Sequence, residues 1–153
     1  LGWISQIERD KSQPSIDDLR DLAHVLNVPL SILFGQTSSG SEEEGYIVRK
    51  SARRVIGSNS SGLKEELLSP DLTDDFEVVY STFEPNSKLA KTQKRKTQEV
   101  GYVISGSLVL NINDKEFKVS EGDSFRIKGE AHSWANPFSK PCNIIWVIAP
   151  PIY

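Results

Sequence analysis

The stretch from Gln98 to Phe125, QEVGYVISGSLVLNINDKEFKVSEGDSF, most constrains what this chain can fold into. Short apolar, β-branched segments alternate there with turn residues. Val100-Gly101-Tyr102-Val103-Ile104 runs up to Gly106, and Leu108-Val109-Leu110 follows it. Asn113-Asp114 separates that run from Phe117 and Val119, which alternate with Glu116 and Lys118. Glu121-Gly122-Asp123 makes another corner before Phe125. Strands this short, joined by Gly, Asn and Asp, predict an antiparallel barrel or sandwich.

The segments around this stretch extend the β pattern. Tyr46-Ile47-Val48-Arg49 predicts an edge strand, and Val55-Ile56 a short strand between loops. Leu63 to Leu68 is a short amphipathic segment. Phe76 to Phe83 carries Val78, Val79 and Tyr80 and predicts a strand entering the barrel, followed by a turn at Glu84-Pro85-Asn86-Ser87. Asn143 to Ile148 is nearly continuous apolar sequence and predicts a buried strand.

Residues 1–35 have a different period. Ile4 and Ile7 share a helical face with Trp3. Ser15 suits an N-cap, with Asp17 and Asp18 in the first turn where the helix dipole favours negative charge. Ile16, Leu19, Leu22, Ala23 and Leu26 form the apolar stripe of that helix, and Asn27 suits a left-handed stop. Pro29 restarts a short helix through Ile32, Leu33 and Phe34, which Gly35 ends. Residues 36–45, QTSSGSEEEG, read as a mobile linker. The expected division is therefore 1–35 helical, 36–45 linker and 46–153 β-rich, an α+β chain.

Composition narrows the function classes. The net charge of -3 gives no overall pull toward nucleic acid or membrane. No apolar run approaches a membrane span, and Cys142, the single cysteine, excludes an intrachain disulfide and fits a reducing cytoplasm. The chain opens on Leu1 and contains no Met, which fits a truncated or processed product, or lost methionine positions.

Two family resemblances follow from the motifs. Glu99, six residues and then Gly106 match the end of the first cupin motif. Gly122-Asp123, then His132 and, four residues on, Asn136 match the second. The β half thus resembles a cupin, a double-stranded β-helix or jelly-roll barrel with a ligand cavity. Residues 1–35 resemble the later part of a Cro/repressor-type (XRE family) helix-turn-helix domain. Ser5-Gln6-Ile7-Glu8-Arg9 matches the recognition helix, Lys11 to Pro14-Ser15 the next loop, and Leu22-Ala23 to Leu33-Phe34 the closing helices. That resemblance implies two further helices ahead of Leu1. Asp10 stands where the family favours a glycine of positive φ.

Metal-binding cupins hold an ion with two histidines and a glutamate from the first motif and a histidine from the second. Here Glu99 and His132 remain, while Gln93 and Arg95, or Thr92 and Lys94, occupy the other ligand positions. Arg and Lys are cations without an acceptor at neutral pH, so no metal, no cofactor and no catalytic residue are expected. Glu99 is instead expected to pair with Arg95 or Arg126, and His132 either to hydrogen-bond within the barrel or to touch a ligand. Arg95 and Lys94 equally suit solvated loop charges. Tyr102, Phe125 and Trp134 suit core aromatics or apolar walls of a pocket, with Trp134 the best placed to meet a ligand. Arg95, Glu99, Tyr102, Phe125, Arg126, His132 and Trp134 are thus the candidate ligand-binding set. Asn136-Pro137 reads as a turn, and Cys142 as inert and partly buried.

A recognition helix lays its N-terminal turns in the major groove, where an amide pairs bidentately with adenine. The resemblance therefore makes Gln6 the base reader, with Leu1, Gly2 and Ser5 at matching exposed positions and Lys11, Ser12 and Gln13 on phosphate. Charge argues the other way: residues 1–35 hold Arg9, Lys11 and Arg20 against Glu8, Asp10, Asp17, Asp18 and Asp21, net -2. The expected function is a cytoplasmic, non-enzymatic, homodimeric transcription regulator that binds an operator of two half-sites and senses a small effector such as an amino acid or carboxylate. The rival readings are a cupin oxygenase or isomerase, or a non-catalytic binding module, with a helical appendage used for packing or dimerisation.

Overall fold

The computed structural model describes residues 2–9, 16–28, 33, 42–43, 45–56, 62–71 and 74–152, with residues 3, 16, 17 and 20 through their backbone. Two helices come first, α1 (Gly2–Ile7) and α2 (Ile16–Leu26). On α2, Ala23 is buried and Leu19 and Leu22 half-buried, while Leu26 is exposed. Asn27 ends the helix at φ 53, the left-handed position its side chain tolerates. Ile4, on the apolar face of α1, is exposed. The Pro29 restart lies outside the described residues except Leu33, which is helical. Of the expected linker, Glu43 closes a turn by accepting from the Tyr46 and Ile47 N–H groups, and its carboxylate pairs with Arg49.

Ten strands follow among the described residues: β1 (Arg54–Ile56), β2 (Leu63–Leu67), β3 (Glu77–Phe83), β4 (Ser87–Lys88), β5 (Gln98–Ser105), β6 (Ser107–Ile112), β7 (Lys115–Ser120), β8 (Ser124–Lys128), β9 (His132–Asn136) and β10 (Cys142–Ala149). They form a six-stranded sheet, β1-β2-β3-β10-β5-β8, and a four-stranded sheet, β4-β9-β6-β7. Every named pair is antiparallel. The turns sit at the residues built for them, with Asn86, Asn113 and Asp114 at positive φ and Gly106 and Gly122 at φ 80 and 87.

Two expectations change. Residues 47–49 are not a strand; a 3₁₀ turn, Lys50–Ala52, follows them instead. Leu63–Leu67 is strand β2, extended because it pairs with β1 on one side and β3 on the other. Its LKEEL sequence carries helix-favouring residues, and the tertiary pairing overrides that local preference.

The core lies between the two sheets. β3 and β10 bury alternate residues: Val79 and Phe83 on one, Cys142, Ile144, Trp146 and Ile148 on the other. The facing sheet contributes Leu108, Leu110, Val119 and Trp134. Phe83 and Trp134 meet edge to face across the gap, ring centroids 4.8 Å apart. Asn136 is fully buried and ties the corner: its amide donates to the Phe83 and Lys140 carbonyls, both at 2.9 Å, and its oxygen accepts from Phe138 N–H.

Candidate functional site

Strand alternation decides which side chains reach the interior. On β5, Glu99, Gly101 and Val103 are buried, and Gln98, Val100, Tyr102 and Ile104 are exposed. On β8, Phe125 and Ile127 turn inward and Arg126 outward. Tyr102 is 50% exposed. The expected places of Tyr102 and Arg126 on the pocket wall are therefore corrected: both stand on the outer face of the sheet. For Arg126 the signal was present in the alternation, since Phe125 and Ile127 flank it. For Tyr102 it was not, because β5 carries apolar residues on both faces.

Glu99 and Phe125 belong to the wall made by the six-stranded sheet, and His132 and Trp134 to the wall made by the four-stranded sheet. Glu99 is 3% exposed and His132 6%. Burial of two such polar groups demands partners. Glu99 Oε1 accepts from Thr97 Oγ1 at 2.5 Å. The expected ion pair with Arg95 or Arg126 is replaced by this hydroxyl: Arg126 points away, and Arg95 is half-buried with no ion pair to Glu99 among the described residues. Thr97 is a residue the motif alone did not single out, although it stands two positions from Glu99 on the same side of the extended chain.

His132 is held at both ends. Its backbone N–H and carbonyl exchange 2.8 Å hydrogen bonds with Gln93, which brings the first-motif segment against β9. Its Nδ1 lies 3.1 Å from the Glu130 carbonyl. A carbonyl only accepts, so Nδ1 is the donor in this contact. The Glu130 carboxylate accepts from Lys128 N–H, and this holds it below the usual carboxylate range.

The apolar walls are ordered by aromatic contacts. Phe125 meets Trp146 edge to face at 5.0 Å, and Trp134 packs on Phe83. Ile148 on β10 lies between two buried carboxylates, being the partner of Glu99 on one side and of Glu77 on the other. Glu77 Oε1 accepts from Ile152 N–H at 2.7 Å, so that carboxylate anchors the chain after β10. Cys142, expected to be partly buried, is fully buried, and burial pushes its thiol up to about 11. A thiol so placed is a packing group.

The strong metal donors at the cupin motif positions are Glu99 and His132. Among the described residues no group of three or more His, Cys, Asp or Glu side chains is placed to hold a metal ion. Two protein ligands, with cationic Arg95 nearby in the chain, do not fit the coordination that a cupin metal requires.

In the helical segment, Gly2 and Gln6 are exposed and Ser5 half-buried on α1. Leu1, Lys11, Ser12 and Gln13 lie outside the described residues, as does Asp10. No helix among the described residues is long and apolar enough to cross a membrane.

Comparison with known proteins agrees with both halves. A helix-turn-helix family profile matches residues 4–33, and a cupin-domain profile matches residues 79–148. The HTH-type transcriptional regulator PuuR of Escherichia coli (strain K12) is 30% identical over 146 residues, covering 93% of this chain and 76% of that protein. PuuR of Shigella flexneri matches to the same extent. Among solved structures, an RmlC-like cupin from Shewanella frigidimarina is similar with a TM-score of 0.60 at 18% identity, over 75% of this chain and 94% of that one. The cupin domain of an XRE family transcriptional regulator from Enterobacter cloacae is similar with a TM-score of 0.52 at 22% identity, over 59% and 98%. These structural likenesses establish the fold.

Proposed function

Because the chain belongs to the XRE-type helix-turn-helix transcriptional regulators that carry a cupin domain, we propose that it is a non-catalytic, effector-responsive regulator whose barrel interior takes a small polar metabolite. The observation that carries this reading is the pair Glu99 and His132: two polar side chains, almost wholly buried, on facing walls, in an interior to which Phe125, Trp134 and Trp146 contribute aromatic surface. An apolar pocket with a few fixed polar groups is the usual form of a small-molecule site. Thr97 and Glu130 orient the two groups, which suits recognition by hydrogen bonding. A small carboxylate or amino acid is the class proposed.

DNA is the second ligand. Gln6, exposed on α1, reads a base, and Gly2 and Ser5 lie beside it on the same short helix, with Leu1 at its start and Lys11, Ser12 and Gln13 following it. Two half-sites call for two copies of the chain. The outer face of the six-stranded sheet supports such pairing: Val100, Tyr102 and Ile104 on β5 and Val147 on β10 are all exposed, and monomers seldom leave a contiguous apolar patch open. Effector binding then acts by linkage, shifting the pair toward the arrangement that the effector prefers and so changing operator affinity. The place of action is the cytoplasm, where the DNA lies.

A thermal-shift screen of metabolites tests the effector reading. A true effector raises the unfolding midpoint, because it binds only the folded state. Glu99→Gln and His132→Ala each abolish that shift while circular dichroism shows the fold unchanged. A best hit that is an uncharged hydrophobe, or a shift that survives both substitutions, refutes the polar pocket.

A further inference from the structure

Arg54 is a cation that forms no ion pair among the described residues. On β1, Ile56 is fully buried and Val55 exposed, so alternation puts Arg54 on the interior side with Ile56. It stands opposite Leu67, in a row that continues through Val79 and Trp146 to Gly101 and Phe125. Its Nη1 is closed off from solvent and has no hydrogen-bond partner, and Arg54 forms no ion pair among the described residues. Burial alone lowers the affinity of this guanidinium for its proton; no carboxylate acts in the opposite direction. Neighbouring Arg53 has an unpaired buried Nε, but its guanidinium lies over the Tyr80 ring, 5.7 Å from the centroid.

The interior carboxylates are engaged elsewhere. Glu65 accepts from Ser81 Oγ at 3.4 Å, Glu77 from Ile152 N–H, and Glu99 from Thr97 Oγ1. A buried guanidinium nitrogen without a partner is costly, and in a native protein it calls for an explanation such as a bound ion. We propose that Arg54 is the anchor for the carboxylate of a monoanionic ligand on the interior side of the six-stranded sheet. The proposal deepens the effector reading above and rests on it for the class of ligand. Guanidinium and carboxylate match as a planar fork, two N–H groups to two oxygens. A phosphate dianion fits less well, because Arg54 is the one cation in its row and Glu65, Glu77 and Glu99 share the interior with it.

The test uses the full chain and three probes, acetate, propionate and inorganic phosphate, against chloride at equal ionic strength. The two carboxylates are expected to raise the melting midpoint above the chloride value, and phosphate is not. Arg54→Gln and Arg54→Met lose the carboxylate shift. Without any probe, Arg54→Met melts no lower than the parent, since the buried Nη1 that it deletes has no hydrogen-bond partner. Three results overturn the proposal. A carboxylate shift that persists in Arg54→Met leaves the effector reading standing and removes Arg54 from it. A probe-free midpoint several degrees lower in Arg54→Met assigns Arg54 a structural partner. A parent protein that responds to phosphate more than to either carboxylate, or to neither carboxylate, refutes the ligand class itself.

Discussion

The Phe125 ring occupies the space that a side chain at position 101 would need: a Cβ added to Gly101 would lie 2.3 Å from Phe125 Cζ. The two residues are partners across β5 and β8, and the ring meets Trp146 edge to face. One interior wall of the barrel is therefore built on the absence of a side chain in the middle of a strand. Glycine in a strand usually weakens it, and here the close approach of an aromatic ring is the compensation.

Gly101→Ala is accordingly expected to destabilise the protein by about 1–3 kcal/mol, the usual cost of overpacking a core. Urea unfolding measures it. Adding Phe125→Leu should cost less in the Gly101→Ala background than in the parent, because a shorter side chain makes room for the methyl. A strictly additive double-mutant cycle would show that the two positions do not share this space.

On DNA, Gln6→Ala is expected to cost about 1–3 kcal/mol at one base pair of each half-site and to relax specificity there. Lys11→Ala should weaken binding to all sequences and flatten its salt dependence. Titrations on operator and mutated operator at two salt concentrations separate the outcomes.

Pairing through the outer sheet face has its own readout. Tyr102→Arg and Val147→Arg place a charge in the centre of the exposed apolar patch. Both are expected to convert a dimer to a monomer in sedimentation velocity, with little change in the unfolding of each chain, since neither side chain packs in the interior. An unchanged mass moves the dimer contact elsewhere.

Alkaline pH should act through Cys142. Its thiol is raised by burial from 9.0 to about 11, so the folded state holds that proton more tightly than the unfolded chain. The stabilisation is full below about pH 9 and is lost as the pH rises through about 11. Between those limits the parent should lose more stability than Cys142→Ala. At neutral pH the buried thiol should resist alkylation until the chain unfolds.

Metal content is a further check. Purified protein should carry less than one tightly held iron, manganese, zinc or nickel ion per chain, because Gln93 and Arg95 stand where two imidazoles would be needed. One ion per chain by elemental analysis, lost on Glu99→Ala, would restore the enzyme reading.

Much of this protein was determined by local sequence alone. The turns at Asn86, Asn113-Asp114, Gly106 and Gly122, and the helix stop at Asn27, follow from residues that tolerate positive φ, a property of the residue itself. The β-rich second half follows from short runs between those turns, and the polar pair Glu99 and His132 from motif spacing. The sheets decided the rest. β5 carries Val100, Tyr102 and Ile104 on one face and Gly101 and Val103 on the other, so hydropathy could not choose its inner side; placement between β8 and β10 chose it. Leu63–Leu67 became a strand through its neighbours. Thr97 rather than an arginine as the partner of Glu99, and the unpartnered Nη1 of Arg54 on the interior side, depend on which strands are brought side by side. Local conformation is set by interactions a few residues long, but the face a strand buries and the partner a buried charge finds are set by contacts between segments far apart in the chain, such as β3 with β10 and β10 with β5.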